Sequence, residues 1–157
     1  MSSQRPIDFG GFTLEVPAAW GRILDTWGNI ADKDRPPYSL VRQKDGIGVF
    51  QLAPALHGGG PVPEAVESTR LLKMAEDFGA RRNLGPSSDQ EIFDDEHLAL
   101  GALTFHPQDK FIRVWFVSDG LNFVFITYGC AWGQQAAELA DCEAMARSVR
   151  FAPKTAG

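Results

Sequence analysis

Residues 111–131, FIRVWFVSDGLNFVFITYGCA, decide the fold of this chain. Two runs rich in β-branched and aromatic residues flank Asp119-Gly120, and an Asp-Gly pair in that setting is a strong signal for a β-hairpin. Both runs are almost continuously apolar, which indicates strands that are covered on both faces. We therefore predict that this hairpin lies at the centre of a sheet, with helices packed on its two faces.

The flanking sequence supplies the other elements. Apolar alternation or short apolar runs predict strands at residues 12–16, 38–43, 47–53, 90–93 and 98–105. Helical spacing predicts one helix from Pro63 to a stop at Gly79 and a last helix from about Gln134 to Val149, with Glu138, Asp141 and Glu143 mostly outside its apolar stripe. The predicted fold is α+β, an antiparallel sheet of about six to seven strands sandwiched between helices in the order β-β-β-α-β-β-β-β-α.

Length and composition suit a single domain over residues 1–157, with residues 1–8 and 153–157 as flexible termini. A hydrophobic fraction of 44% provides enough apolar surface for a core that needs no disulfide or bound metal to stabilise it. The sequence shows no signal peptide and no run long enough to span a bilayer, and Cys130 and Cys142 make no disulfide framework. We expect a cytoplasmic protein with free thiols, monomeric or weakly dimeric, that does not bind membranes.

The net charge of -5 argues against nucleic acid as a partner, because phosphate backbones attract basic surfaces. It favours a basic protein partner, although an acidic charge is also an ordinary property of soluble proteins. The candidate contact residues are those of an aromatic, acidic loop and of an acidic turn: Asp25, Trp27, Asp32, Asp34, Asp94, Asp95 and Glu96. Trp27 folded back onto the core is the alternative for the loop, and a solvated turn is the alternative for residues 94–96.

No motif predicts catalysis, a cofactor or a metal. The histidines His57, His97 and His106 share no spacing that zinc ligands need, and the sequence lacks dinucleotide, Walker and nucleophile-elbow motifs. Cys130 is the best candidate nucleophile, since it ends a strand before a helix, but a free cysteine is usually a small buried hydrophobe. Cys142 lies on the apolar helix stripe and is predicted to pack in the core.

Three segments together resemble the fold of the photosystem PsbP protein and the Mog-type Ran-binding protein. They are Val16-Pro-Ala-Ala-Trp20, the hairpin from Trp115 to Tyr128, and the ending Ala146-Arg-Ser-Val-Arg-Phe151. The resemblance implies an antiparallel sheet between helices. It implies neither functional residues nor binding of Ran.

The segments from Gly46 to Leu52 and from Trp115 to Asn122 also resemble small bacterial cytoplasmic proteins, which are suspected immunity proteins or accessory factors of secreted toxins. This resemblance implies binding without catalysis, and the first hypothesis is an immunity protein that neutralises a basic toxin. The second is a small-ligand binder or hydrolase with a pocket near Cys130, His106 and Trp132. A third, an assembly or accessory factor of a secretion system, differs from the first only in its partner.

Overall fold

The computed structural model describes residues 4–22, 37–55 and 67–151. A short 3-10 helix, Gln135–Ala137, precedes the last α-helix. The strands and helices in chain order are β1 (Gln4–Asp8), β2 (Phe12–Pro17), β3 (Trp20–Arg22), β4 (Tyr38–Arg42), β5 (Val49–Ala55), α1 (Ser68–Arg82), β6 (Ser87–Asp94), β7 (Ala99–Phe105), β8 (Lys110–Ser118), β9 (Phe123–Ala131), α2 (Leu139–Arg147) and β10 (Arg150–Phe151).

Two antiparallel sheets make up the fold. The larger has seven strands in the order β3-β4-β5-β9-β8-β7-β6, and the smaller has three in the order β1-β2-β10. The predicted α+β class and antiparallel sheet are confirmed. The prediction of a flexible lead was wrong for Gln4–Asp8, which pair with β2 from Gln4↔Pro17 to Asp8↔Thr13. Proline is tolerated on an edge strand, so Pro6 does not interrupt this pairing.

The predicted hairpin lies at the middle of the larger sheet. Strands β8 and β9 pair from Lys110↔Ala131 to Ser118↔Phe123. Their connection is longer than the two residues that we predicted, because residues 119–122 form the turn. Asp119 Oδ1 accepts hydrogen bonds from the backbone N–H groups of Leu121 (2.9 Å) and Asn122 (2.7 Å), and Gly120 has φ +95°, a value that glycine adopts without strain.

Helix α1 covers part of one face of the sheet. Small residues on β7 let it approach closely, as predicted: a Cβ on Gly101 would lie 2.3 Å from the backbone nitrogen of Leu72. The prediction that Gly79 ends this helix was wrong. Gly79 lies inside α1, where the ring of Phe105 occupies the space of its missing side chain, and the helix ends before Asn83 at φ +57°.

The opposite face packs against α2 and the smaller sheet. We predicted one helix over residues 134–149, but the chain forms the 3-10 turn, then α2, then β10, which pairs with β2 through Arg150↔Thr13 and Phe151↔Phe12. The largest fully buried side chains of this layer are Trp20, Trp115, Tyr128, Phe12 and Phe50. Neither helix in the described ranges has the length and apolarity that a membrane crossing requires.

Candidate partner-binding site

Three carboxylates of helix α2 and its first turn accept hydrogen bonds from side chains on the sheets. Glu138, at the start of α2, is fully buried, and its side chain accepts hydrogen bonds from Tyr128 Oη (2.7 Å), Gly48 N (2.9 Å) and Ile47 N (3.0 Å). Arg42 Nε lies 3.3 Å from the same carboxylate. Burial, and then the hydrogen bond to Glu138, raise the pKa of Tyr128 far above its usual range, so the phenol remains a donor.

The other two carboxylates accept from buried indoles. Asp141 Oδ2 lies 2.9 Å from Trp20 Nε1, and Glu143 Oε2 lies 3.0 Å from Trp115 Nε1. Buried Arg113 donates to Glu143 Oε1 at 2.5 Å. These carboxylates therefore have hydrogen-bond partners on the sheet. Sequence reasoning missed this arrangement, although buried Trp and Tyr side chains need acceptors and could have signalled it.

The structure does not give Cys130 the environment of a nucleophile. Its Sγ lies 3.3 Å from Ala131 O, and burial raises the pKa of its thiol, which disfavours the thiolate. The ring of His106 is stacked on Trp132 at 3.4 Å, and no histidine is hydrogen-bonded to Cys130 in the part of the chain that the structure describes. Burial also raises the pKa of Cys142, which packs in the core as predicted.

A groove of about 550 Å³ nevertheless runs beside Cys130. Its walls come from the paired ends of β8 and β9 and from the turn before β8, and they are Asp109, Lys110, Phe111, Ile112, Gly129, Cys130 and Ala131. Trp132 flanks it, since the backbone N–H of Trp132 donates to Asp109 O at 2.8 Å. Of the three residues in the sequence hypothesis, His106 and Trp132 stack on each other and Cys130 lines the groove, and no described histidine is hydrogen-bonded to the Cys130 thiol.

The two histidines that the structure describes do not converge. His97 lies on the surface with its Nε2 3.4 Å from Glu96 Oε1, His106 stacks on Trp132, and His57 lies outside the described residues. Within residues 4–22, 37–55 and 67–151, no three His, Cys, Asp or Glu side chains are grouped in a way that could hold a metal ion.

The acidic turn at residues 94–96 forms one wall of a shallow depression of about 200 Å³, which we call the acidic depression. Strand β7 pairs with both β6 and β8, so the β6–β7 and β8–β9 turns lie at the same end of the sheet. The depression is lined by Asp94, Asp95, Glu96, His97, Leu98, Ala99, Ser118, Asp119 and Gly120. Sequence reasoning found the first three and missed Asp119, which only the pairing of β7 with β8 brings close.

Three of these carboxylates are held in place by hydrogen bonds: Asp119 within its turn, and Asp94 and Asp95 at the acidic turn. Asp95 Oδ1 accepts from the backbone N–H groups of His97 (2.7 Å) and Leu98 (2.9 Å), and these bonds lower the pKa of Asp95. Asp94 Oδ2 accepts from Ser68 Oγ at 2.7 Å, which fixes it to the start of α1. The side chain of Glu96 is 85% exposed. The depression therefore presents preorganised negative charge beside a carboxylate that can reach outward.

The remaining predicted contact residues, Asp25, Trp27, Asp32 and Asp34, lie outside the described residues. The structure thus assembles three of the seven predicted contact residues into one surface and adds Asp119 to them.

Comparison with known proteins identifies the fold. No protein-family model and no curated protein matches the sequence. Among solved structures, the PsbP protein CyanoP of Synechocystis sp. PCC 6803 matches with a TM-score of 0.63 and 9% identity, over 97% of this chain and 94% of CyanoP. LpqN of Mycobacterium tuberculosis, described as involved in cell envelope biogenesis, matches with a TM-score of 0.55 and 12% identity, over 96% of this chain and 91% of LpqN.

A protein of Bacteroides thetaiotaomicron VPI-5482 matches with a TM-score of 0.53 and 11% identity. The match covers 99% of this chain but only 50% of the Bacteroides protein, so this chain spans about half of that protein's length. At these identities the likeness shows the fold alone. The predicted resemblance to the PsbP fold is confirmed at that level.

Proposed function

We propose that this protein is a non-catalytic protein-binding domain of the bacterial cytoplasm, an immunity protein that neutralises a cognate toxin by binding it. The observation that carries the proposal is the acidic depression, where Asp94, Asp95, Glu96 and Asp119 converge at one end of the sheet. The fold itself carries no argument for this function, because one fold hosts many unrelated functions.

The chemistry of the acidic depression fits Lys and Arg side chains of a partner. Charge-assisted hydrogen bonds to carboxylates are the stronger kind, and a carboxylate that is already held in place loses less side-chain entropy on binding. Asp95 is ionised at neutral pH, and its lowered pKa extends its ionisation to more acidic solution. Together with the net charge of -5, this surface would speed the encounter with a basic toxin.

The interior supports binding rather than catalysis. A catalytic residue needs a reactive group close to a substrate site, and its pKa is matched to the reaction. Here Glu138, Asp141, Glu143 and Arg113 accept or donate structural hydrogen bonds, and the thiol of Cys130 is held protonated. The surface is therefore where we place the function.

Co-expression with the product of the neighbouring gene tests the proposal. The wild-type protein should restore growth to cells that produce a toxic neighbour and should co-purify with it. The triple variant Asp94→Asn, Asp95→Asn, Glu96→Gln removes three charges but keeps the side-chain oxygens that accept from Ser68, His97 and Leu98. It should protect less well and bind with a weaker dependence on salt.

The matched control is Glu15→Gln, which neutralises an exposed carboxylate on the smaller sheet. This variant should protect like the wild type. Equal protection by the triple variant would remove the acidic depression from the proposal. A neighbour that is not toxic but still co-purifies would point instead to an accessory factor.

A further inference from the structure

Strand β6 forms an edge of the larger sheet. Among the described residues it pairs with β7 alone, so the other side of β6 presents backbone N–H and C=O groups that no strand pairs. A bulge between Ser88 and Glu91, with Asp89 at φ +50°, interrupts its first half. The second half is regular, from Glu91↔Ala102 to Asp94↔Ala99. This straight part of β6 is long enough to pair with an extended peptide.

The charge of this edge selects what can pair with it. Residues 87–98 contain no Lys or Arg, and they carry the five carboxylates Asp89, Glu91, Asp94, Asp95 and Glu96. Glu91 is neutralised by Arg147 and Arg113, but the other four side chains are exposed. A second copy of this strand would bring carboxylates against carboxylates, which destabilises the pairing of strands. A strand that carries Lys or Arg would gain from the same charges.

Ile92 adds apolar surface at the same place. It lies in the middle of the straight part of β6, and it is 45% exposed, more than nearly all other large hydrophobic side chains that the structure describes. Charged side chains and bulges on an edge strand usually prevent it from pairing with another chain, whereas an exposed β-branched residue favours such pairing. Ile92 therefore offers a contact to alternate side chains of an added strand.

We infer that the edge of β6 that no described strand pairs binds an extended, basic segment of the partner by β-augmentation, with the Lys or Arg side chains of that segment reaching the acidic depression. This inference rests on the proposed function, which it deepens by specifying the conformation of the bound segment. Asp94 connects the two surfaces, because it is the last residue of β6 and also lines the depression. Backbone hydrogen bonds would supply affinity, and the charges would supply selectivity.

The test uses the full chain, labelled with ¹⁵N, and a synthetic peptide of about eight residues, the length of a strand, in which Lys and Val alternate. Two further peptides carry N-methyl groups on one or the other alternate set of amides. Only one set can face β6, so one methylated peptide should bind about tenfold or more weakly and the other should bind like the parent. The amide shifts should change along Ser87–Asp94.

The variants separate charge from backbone pairing. The triple variant Asp94→Asn, Asp95→Asn, Glu96→Gln should weaken binding of the parent peptide several-fold at low salt, whereas Glu15→Gln should leave it unchanged. If both methylated peptides bind like the parent, β-augmentation is wrong while the acidic surface stands. If no basic peptide binds, or if the shifts fall on another edge such as β1, the inference is overturned.

Discussion

Replacement of Glu138 by Ala tests how the scaffold is held together. The change would leave three donors without their acceptor: Tyr128 Oη, Gly48 N and Ile47 N. An unsatisfied buried donor costs about 1–3 kcal/mol, and removal of one partner of a buried ion pair costs about 3–5 kcal/mol. Since Arg42 keeps some contact with water, we expect Glu138→Ala to lower the free energy of unfolding by about 3–5 kcal/mol.

Chemical denaturation followed by fluorescence and far-UV circular dichroism measures this loss. At about 2–4 °C per kcal/mol for a chain of this size, the Tm should fall by roughly 6–20 °C. Glu138→Gln should lose less, about 2–3 kcal/mol, because its amide oxygen can still accept from Tyr128. The control Glu96→Gln changes an exposed carboxylate and should shift stability by less than about 0.5 kcal/mol.

A double variant makes the prediction specific to the contact. In Tyr128→Phe the Tyr128 hydroxyl is absent, so the further change Glu138→Ala no longer strands it. The double variant should therefore be more stable than the sum of the two single effects predicts. If the free energy of unfolding of Glu138→Ala lies within about 1 kcal/mol of the wild-type value, the carboxylate does not hold the β4–β5 turn to α2. Our account of the interior would then be wrong.

Three further predictions concern packing, pH and thiol reactivity. Gly101→Ala should lower the Tm and reduce the free energy of unfolding by about 1–3 kcal/mol or more, because its Cβ would meet the backbone of α1. Gly129→Ala serves as the control, since a Cβ on Gly129 has room. Equal Tm values for the two variants would contradict the close packing of α1 on β7. The folded-state pKa of Asp95 is lowered, so its contribution to stability is present above its unfolded pKa near 3.8 and is lost as the pH falls through the folded value. In Asp95→Asn, the free energy of unfolding should therefore fall less steeply as the solution is acidified. An unchanged acid dependence would contradict the hydrogen bonds from His97 and Leu98 to Asp95. At pH 8, iodoacetamide should alkylate Cys130 more slowly in the folded protein than in the unfolded protein, because burial raises the pKa of the thiol. Equal alkylation rates in the two states would refute this prediction.

The sequence predicts the centre of the fold well because local patterns determine it. The apolar runs around Asp119-Gly120 specify paired strands, and small residues at Ala99 and Gly101 specify the close approach of α1. The terminal pieces escape prediction because their partners are remote in sequence. Strand β1 has little apolar pattern of its own and exists through β2, and β10 has only two residues.

The candidate site is predictable only in part for a similar reason. Residues 94–96 stand out as a run of charges, so the sequence shows them directly. Asp119 joins them through the pairing Ala99↔Ser118, which no local pattern reveals. Gly79 misled the prediction because a glycine near the end of a helical pattern suggests a stop, whereas here it accommodates the ring of Phe105 from a different strand.

The pairing of β10 with β2 has a consequence for how this protein is made. Phe12 meets Phe151, and Trp20 finds its acceptor in Asp141, 121 positions later in the chain. During synthesis on the ribosome, the aromatic rings of Phe12 and Trp20 lack these partners until almost all of the described chain has emerged. Folding should therefore complete late and all at once, and a chain that stalls before α2 is a natural substrate for chaperones and proteases.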